Sequence, residues 1–224
     1  MSDFRALAKQ SAGSWGRDGN FVGARALRDG TLFGAPWELA LIMEGKVFGS
    51  NAGDVSTGIA GHATITAAQP ELAVRATSDS LVIIPIAFEC LAQSFEITLG
   101  IHEVMFAASN IDVGAGTSTA ETAFNLNMSS AAATSATIRS AYTANGTDPL
   151  TAGNFYELGR NAGNFDSDAA TSGITGLRLA WSMRNGNVPI IARTGSLLGY
   201  GGGGTTANFF FNAVWAELTQ AEVE

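Results

Sequence analysis

Cysteine is almost missing from this chain. Cys90 is the only one in 224 residues, so no disulfide can form within it. None is required, because a chain of this length buries roughly 70% of its unfolded surface on folding. Cys90 lies in the apolar run LVIIPIAFECLA (81–92), where a thiol reads as a small buried hydrophobe before it reads as a nucleophile. Lysine is nearly as scarce. Only Lys9 and Lys46 occur, and arginine carries the other positive charges, a choice that favours planar, bidentate ion pairs over freely solvated ammonium groups. Charged residues make up 14% of the chain, against a usual value of about 25%. A surface so poor in charge invites a protein cover, and self-association is the simplest one. The formal charge of −8 and the pI of 4.7 argue against a nucleic-acid partner.

No apolar stretch reaches the roughly 20 residues that span a bilayer, so no membrane partner is expected. The opening MSDFRALAKQ lacks the basic and apolar regions of a signal peptide. The expectation is synthesis in a cytoplasm without export by that route. Catalytic signatures are missing too: the sequence holds no G-x-S-x-G elbow, no H-E-x-x-H and no C-x-x-C.

Short β segments are what the chain has in plenty. The last of them, Phe209 to Leu218 (FFFNAVWAEL), alternates Phe209, Phe211, Ala213 and Trp215 on one side with Phe210, Val214, Ala216 and Leu218 on the other. Both sides are mostly apolar, which predicts a central strand covered on its two faces. Upstream, Ser2 to Gln10 has the pattern of a short amphipathic helix, and 11–20 reads as a turn-rich linker anchored by Trp15. Residues 1–20 are therefore expected to form an N-terminal arm, and 21–224 one β-sandwich domain.

Within that domain strands are predicted over Phe21–Leu27, Trp37–Met43, His62–Ala68, Glu71–Ala76, Leu81–Ala92 and Phe95–Ala107. Further strands are predicted over Thr137–Ala144, Asn154–Leu158, Leu177–Met183, Val188–Arg193 and Leu197–Tyr200. Pro85 limits the ladder of the Leu81–Ala92 run. Asn185-Gly186 signals a hairpin. The small-residue stretch Asn110 to Ser135 reads as a long surface excursion. Ten or more strands at spacings of about 8 to 15 residues indicate a sandwich or barrel.

The candidates for chemistry are few. His62 and His102 sit in strand-like contexts, with His102-Glu103 as a conceivable acid–base pair, but neither has a second ligand at metal spacing. Asn164 to Asp168 (NFDSD) places oxygens at alternate positions, as calcium loops do, yet lacks the glycine and distal glutamate of an EF-hand. GYGGGG (199–204) has no following Lys-Ser/Thr and reads as a flexible hairpin loop instead of a phosphate cradle. Glu38, Glu44, Glu89 and Glu96 show no spacing that favours a glycosidase pair over salt bridges. No catalytic residue, metal site or cofactor is assigned. Trp37, Phe88, Phe209, Phe211 and Trp215 are expected in core or subunit packing. Tyr156 and Tyr200 adjoin loops and are the candidates for exposed ligand contacts.

Several segments together, ALRDGTLFGAPWELALIMEGKVFG, LVIIPIAFE, GAGTSTAETAFNLN, VPIIARTGSLLGYGGGG and the terminal FFFNAVWAEL with its W-x-E-L ending, resemble the jelly-roll structural proteins of bacteriophage particles. The resemblance implies a single jelly-roll-type antiparallel β-sandwich with an N-terminal arm. It implies a non-enzymatic virion component, commonly trimeric, that decorates or completes a capsid. Its partners would be copies of itself and a major capsid or other virion protein. The competing reading is a carbohydrate- or receptor-binding β-sandwich module of a phage fibre or tail, with its site near Tyr156 and Tyr200.

Overall fold

The fold was obtained as a computed structural model that describes residues 6–7, 21–22, 36–94, 100–144, 147–165, 177–192, 194–203 and 207–223. Most of the arm, including the expected linker at 11–20, lies outside them, as do Phe95, Glu96 and 166–168 of the NFDSD stretch. Within the expected N-terminal helix, β1 (Ala6–Leu7) is instead a short strand that pairs antiparallel with β2 (Phe21–Val22).

The remaining strands, in chain order, are β3 (Val47–Ala52), β4 (Ile59–Ala60), β5 (Leu72–Ala76), β6 (Leu81–Ser94), β7 (Gly100–Ser109), β8 (Thr117–Ala120) and β9 (Ala123–Asn125). After these come β10 (Thr137–Ala144), β11 (Phe155–Phe165), β12 (Arg178–Ser182), β13 (Ile191–Ala192), β14 (Gly195–Gly202) and β15 (Asn208–Thr219). They form two packed antiparallel sheets, a β-sandwich. One has the order β11-β7-β14-β5-β10-β8; the other has the order β12-β6-β15-β3-β9, with β13 also on β6 and β4 on β15. Eight of these strands make a central frame, β12-β6-β15-β3 facing β11-β7-β14-β5. Along the chain the frame strands alternate between sheets, except that β7 and β11 are neighbours in one sheet. The segment between those two supplies β8, β9 and β10, which extend both sheets on the β3/β5 side.

Period-two alternation fills the space between the sheets. Phe209, Phe211, Ala213 and Trp215 of β15 meet Val104, Phe106 and Ala108 of β7, Leu72 and Val74 of β5, and Phe88 and Cys90 of β6, all buried in one cluster. Phe88 and Phe106 stack across the sheets at 4.2 Å, and Trp215 leans on Phe48 at 6.4 Å. Such aromatic pairs add about 0.5–1.5 kcal/mol each beyond their area. Pro85 lacks the N–H a ladder needs, and the β6–β15 register slips at that point, from Val214↔Ala87 to Trp215↔Pro85. The strand runs on past the proline at the cost of one irregularity.

The sheets are also covered outside. On the β7/β14 sheet the outward residues Ala73, Met105, Ala107, Leu198 and Tyr200 pack under Val113, Tyr142, Ile65 and Leu150. On the β15 sheet the cover is a helix, α1 (Trp37–Met43), whose Leu41 seats against Val47 and Ala216. A strand was expected over these residues because Trp37, Leu39, Leu41 and Met43 alternate. The segment WELALIM is apolar at nearly every position, so its periodicity does not distinguish strand from helix. Pro36 at its N-terminus and the Gly45 turn after it (φ 72°) favour a helical turn. A final turn, α2 (Gln220–Val223), is tied to Lys46 by Glu222 at 2.6 Å.

Three further expectations fail. His62–Ala68 is a connection of bends and turns, not a strand. Asn185-Gly186 does not close a hairpin, because β12 and β13 lie one after the other along the same side of β6, with the turn looping out between them. GYGGGG is no flexible loop over its described part: Gly199 to Gly202 belong to β14 and are buried.

Candidate functional site

Of the residues expected in core or subunit packing, Phe88, Phe209, Phe211 and Trp215 point into the sandwich. They hold the two sheets together and are inaccessible to another molecule. Trp37 is not in the core: it is 43% exposed on α1, whose single buried residue is Leu41, so of the two expectations, core or subunit packing, only the first is excluded. The accessible apolar surface is made by the neighbours of the core residues instead. Trp37, Leu39 and Met43 on α1 are exposed, as is Met128 at 82%, and Asn127, next to Met128, donates to the Met43 carbonyl at 3.1 Å. The one charge on α1, Glu38, is paired with Arg184 at 3.3 Å. A helix apolar on nearly all sides normally has protein on all sides. Beyond α1 the same sheet face carries an open cleft of about 430 Å³ lined by Asn51, Val55, Leu91, Phe210 and Asn212.

Tyr156 and Tyr200, the two candidate ligand contacts, are not brought together. Tyr200 is fully buried, its hydroxyl donating to the Ala67 carbonyl at 2.7 Å, and burial pushes its pKa above the ordinary value. As a ligand contact it is withdrawn. The reason is that the 61–71 connection crosses over β14 and covers its outer face. Tyr156 is 46% exposed on β11, with its hydroxyl 3.4 Å from the Asn187 amide. Its ring borders a cleft of about 250 Å³ lined by Ser109, Asn110, Asn154, Pro189 and Ile190.

Three buried polar clusters escaped the sequence reading. His62 Nδ1 lies 2.8 Å from Glu71 Oε1, and the Gly201 amide donates to Glu71 Oε2 at 2.7 Å. The hydrogen bond to Glu71 holds His62 above its usual pKa, and burial pushes Glu71 upward. Arg75 grips Asp112 through two bonds of 2.6 and 2.7 Å, while the Gly114 amide donates to the same carboxylate at 3.1 Å. Glu217 accepts from the Trp215 indole at 2.8 Å, from the Ser135 amide at 2.7 Å, and from the Thr134 hydroxyl. Glu217 had a legible signal, a carboxylate at an inward position of an otherwise apolar strand. Glu71 and Asp112 had none: Glu71 meets His62 only because the 62–71 connection folds back on itself, and Asp112 meets Arg75 from 37 residues away.

These clusters bind chain to chain. His62 has the carboxylate-oriented geometry of a base, but its hydrogen-bond partners are Glu71, the Tyr142 backbone and main-chain groups of Gly201 and Gly203. Among the described residues no group of three His, Cys, Asp or Glu side chains is placed to hold a metal ion. His102 is buried on β7 and Cys90 lies in the core, where burial pushes its thiol well up. No family model matches the chain, and no curated protein matches it either.

Proposed function

We propose that this chain is a non-enzymatic structural component of a bacteriophage particle: a jelly-roll subunit that associates with copies of itself, as a trimer, and docks on the capsid shell. The observation that carries the reading is the order of the frame strands. The order β12-β6-β15-β3 against β11-β7-β14-β5, with the chain crossing between sheets at every step but one, supports a jelly-roll reading of the sandwich. Jelly rolls also serve lectins and metal-binding enzymes, so the fold alone does not select a role. The coat reading is favoured by surface chemistry. Trp37, Leu39 and Met43 of α1 are exposed on a chain with only 14% charged residues, and the charges beside them are paired, Glu38 with Arg184 and both Glu44 and Glu222 with Lys46. Exposed apolar side chains among paired charges fit a subunit contact better than a solvated face.

Sedimentation velocity at micromolar concentration, together with co-sedimentation on phage shells lacking the protein, tests the proposal. A trimer that binds the shells is the expected result. A monomer that stays in the supernatant would overturn it.

One observation favours a second reading, a carbohydrate-binding module. Half-exposed Tyr156 lines a cleft together with Asn110 and Asn154, and an aromatic residue with asparagines suits sugar rings. A glycan array in which the protein binds and Tyr156→Ala does not would select this reading over the first.

A further inference from the structure

We propose that His62 and Glu71 form a proton-controlled clip that fastens the 61–71 connection over the glycine end of β14, closed while the pair holds a proton and released when it is lost. The connection is laid down unusually close. His62 N–H donates to the Gly201 carbonyl at 3.1 Å, and Gly203 N–H donates to the His62 carbonyl at 3.0 Å, so the histidine main chain brackets the end of the strand. A Cβ on Gly202 would stand 2.9 Å from the Ile65 nitrogen; only a strand end without side chains admits the crossing. Further along, Tyr200 reaches the Ala67 carbonyl and Gln69 reaches the Thr143 carbonyl at 2.6 Å.

What joins the start of this connection to its end is the side-chain pair. Glu71 is 1% exposed, and its carboxylate is held by His62 on one oxygen and the Gly201 amide on the other. With an imidazolium opposite, the carboxylate is compensated. Once the ring is neutral, a carboxylate remains in the interior with one amide and one neutral donor, and a buried charge without a counter-ion is strongly unfavourable. Lifting residues 62–69 to hydrate Glu71 relieves it.

Other ionisable groups lie around the pair. Burial holds Tyr142 on β10 at about 12, and Tyr200 on β14 and Cys90 on β6 lie above their ordinary values. Glu103 on β7, opposite Gly202, is paired with Arg160, and Asp148 lies beside Tyr200. His102 on β7, which touches the position of a Gly203 side chain, is the one other imidazole. His62 and Glu71 both sit above their unfolded values. The folded clip therefore binds its proton more tightly than the open chain does. Its stability is complete below the ordinary histidine value and is lost as pH rises through the value of the folded pair.

Hydrogen exchange of the full chain, followed by mass spectrometry between about pH 5.5 and 8.5 and corrected for intrinsic rate, reads the clip directly. Peptides covering 61–71 and 199–203 should lose protection with rising pH, about tenfold for each unit by which the pair's proton affinity exceeds that of free imidazole. Peptides from β6 and β15 should not change. Glu71→Gln and His62→Gln should abolish the pH response. A flat wild-type profile would overturn the proposal, and so would a response that survives in His62→Gln, which would assign it to His102. Should Glu71→Gln not fold, histidine NMR decides: the resonance that disappears in His62→Gln must titrate above the ordinary imidazole range, and titration at or below it refutes the clip.

Discussion

The indole Nε1–H of Trp215 donates to Oε1 of Glu217, two residues further along the same face of β15 and 2.8 Å away. A carboxylate thus sits at the end of the row Phe209, Phe211, Ala213, Trp215. There it also collects the amides of Ser135 and Ala136, at 2.7 and 3.3 Å. The largest side chain of the core and the loop that closes one end of the sandwich share a single acceptor.

Removing that acceptor should therefore cost more than one hydrogen bond. Glu217→Ala leaves the buried Trp215 indole without its acceptor, a loss of about 1–3 kcal/mol, and also removes the acceptor of the Ser135 amide. Trp215→Ala and Phe211→Ala should each cost about 3–5 kcal/mol through the cavity they leave. In denaturant melts, a Trp215→Phe, Glu217→Gln double-mutant cycle should be clearly non-additive. Additive losses would mean that the two residues act independently.

The Arg75–Asp112 pair sets the acid limit of the loop over the β7/β14 sheet. Burial works to raise the Asp112 pKa, but the paired Arg75 guanidinium and the Gly114 amide outweigh it and hold the carboxyl below its ordinary value. A lowered folded-state value means that the contribution is present above the ordinary aspartate pKa and disappears as pH falls through the folded one. Wild-type protein should lose melting temperature below about pH 4 more steeply than Asp112→Asn. Equal slopes would show that the pair adds nothing.

The glycine end of β14 should tolerate no side chain. A Cβ on Gly199 would stand 2.9 Å from the Phe211 ring, and one on Gly201 would stand 2.6 Å from the ring of Phe209. Gly199→Ala and Gly201→Ala should each destabilise by about 1–3 kcal/mol through overpacking. Unchanged thermal melts would show that the rings can move aside.

Core and contact surface can be separated by mutation. Leu41→Ala should lower stability by about 2–5 kcal/mol, because it unseats α1 from β15. Met43→Ala and Met128→Asp alter exposed side chains and should leave the stability of the subunit within about 0.5 kcal/mol of wild type, while weakening any assembly that uses this face. Sedimentation of the two variants at one concentration distinguishes the effects.

Much of the sandwich was readable from alternation alone. The alternation of Phe209 to Leu218 predicts a central strand, and β15 lies at the centre of its sheet; the run 81–92 is read as a strand limited at Pro85 and forms β6, with its register slip there. The readings that failed did so for physical reasons. WELALIM is apolar on every side, so its period is ambiguous, and its packing on Val47 and Ala216 decides in favour of a helix. Asn185-Gly186 is a turn signal that β6 overrode by pairing with both flanking segments. Glycine-rich sequence suggested mobility at 199–202, whereas close approach by Phe209, Phe211 and Ile65 is what requires glycine there. Tyr200 was misplaced because nothing local announces that a connection 130 residues upstream will cover it.

Cys90 closes the account differently. It is the sole thiol and has no measurable solvent contact in the folded chain, so a maleimide or disulfide reagent meets it only when the two sheets part. Its labelling rate is a built-in clock for whole-subunit opening, needing no introduced probe. In any assembly that clock would report how far neighbouring copies slow the separation of one subunit's layers.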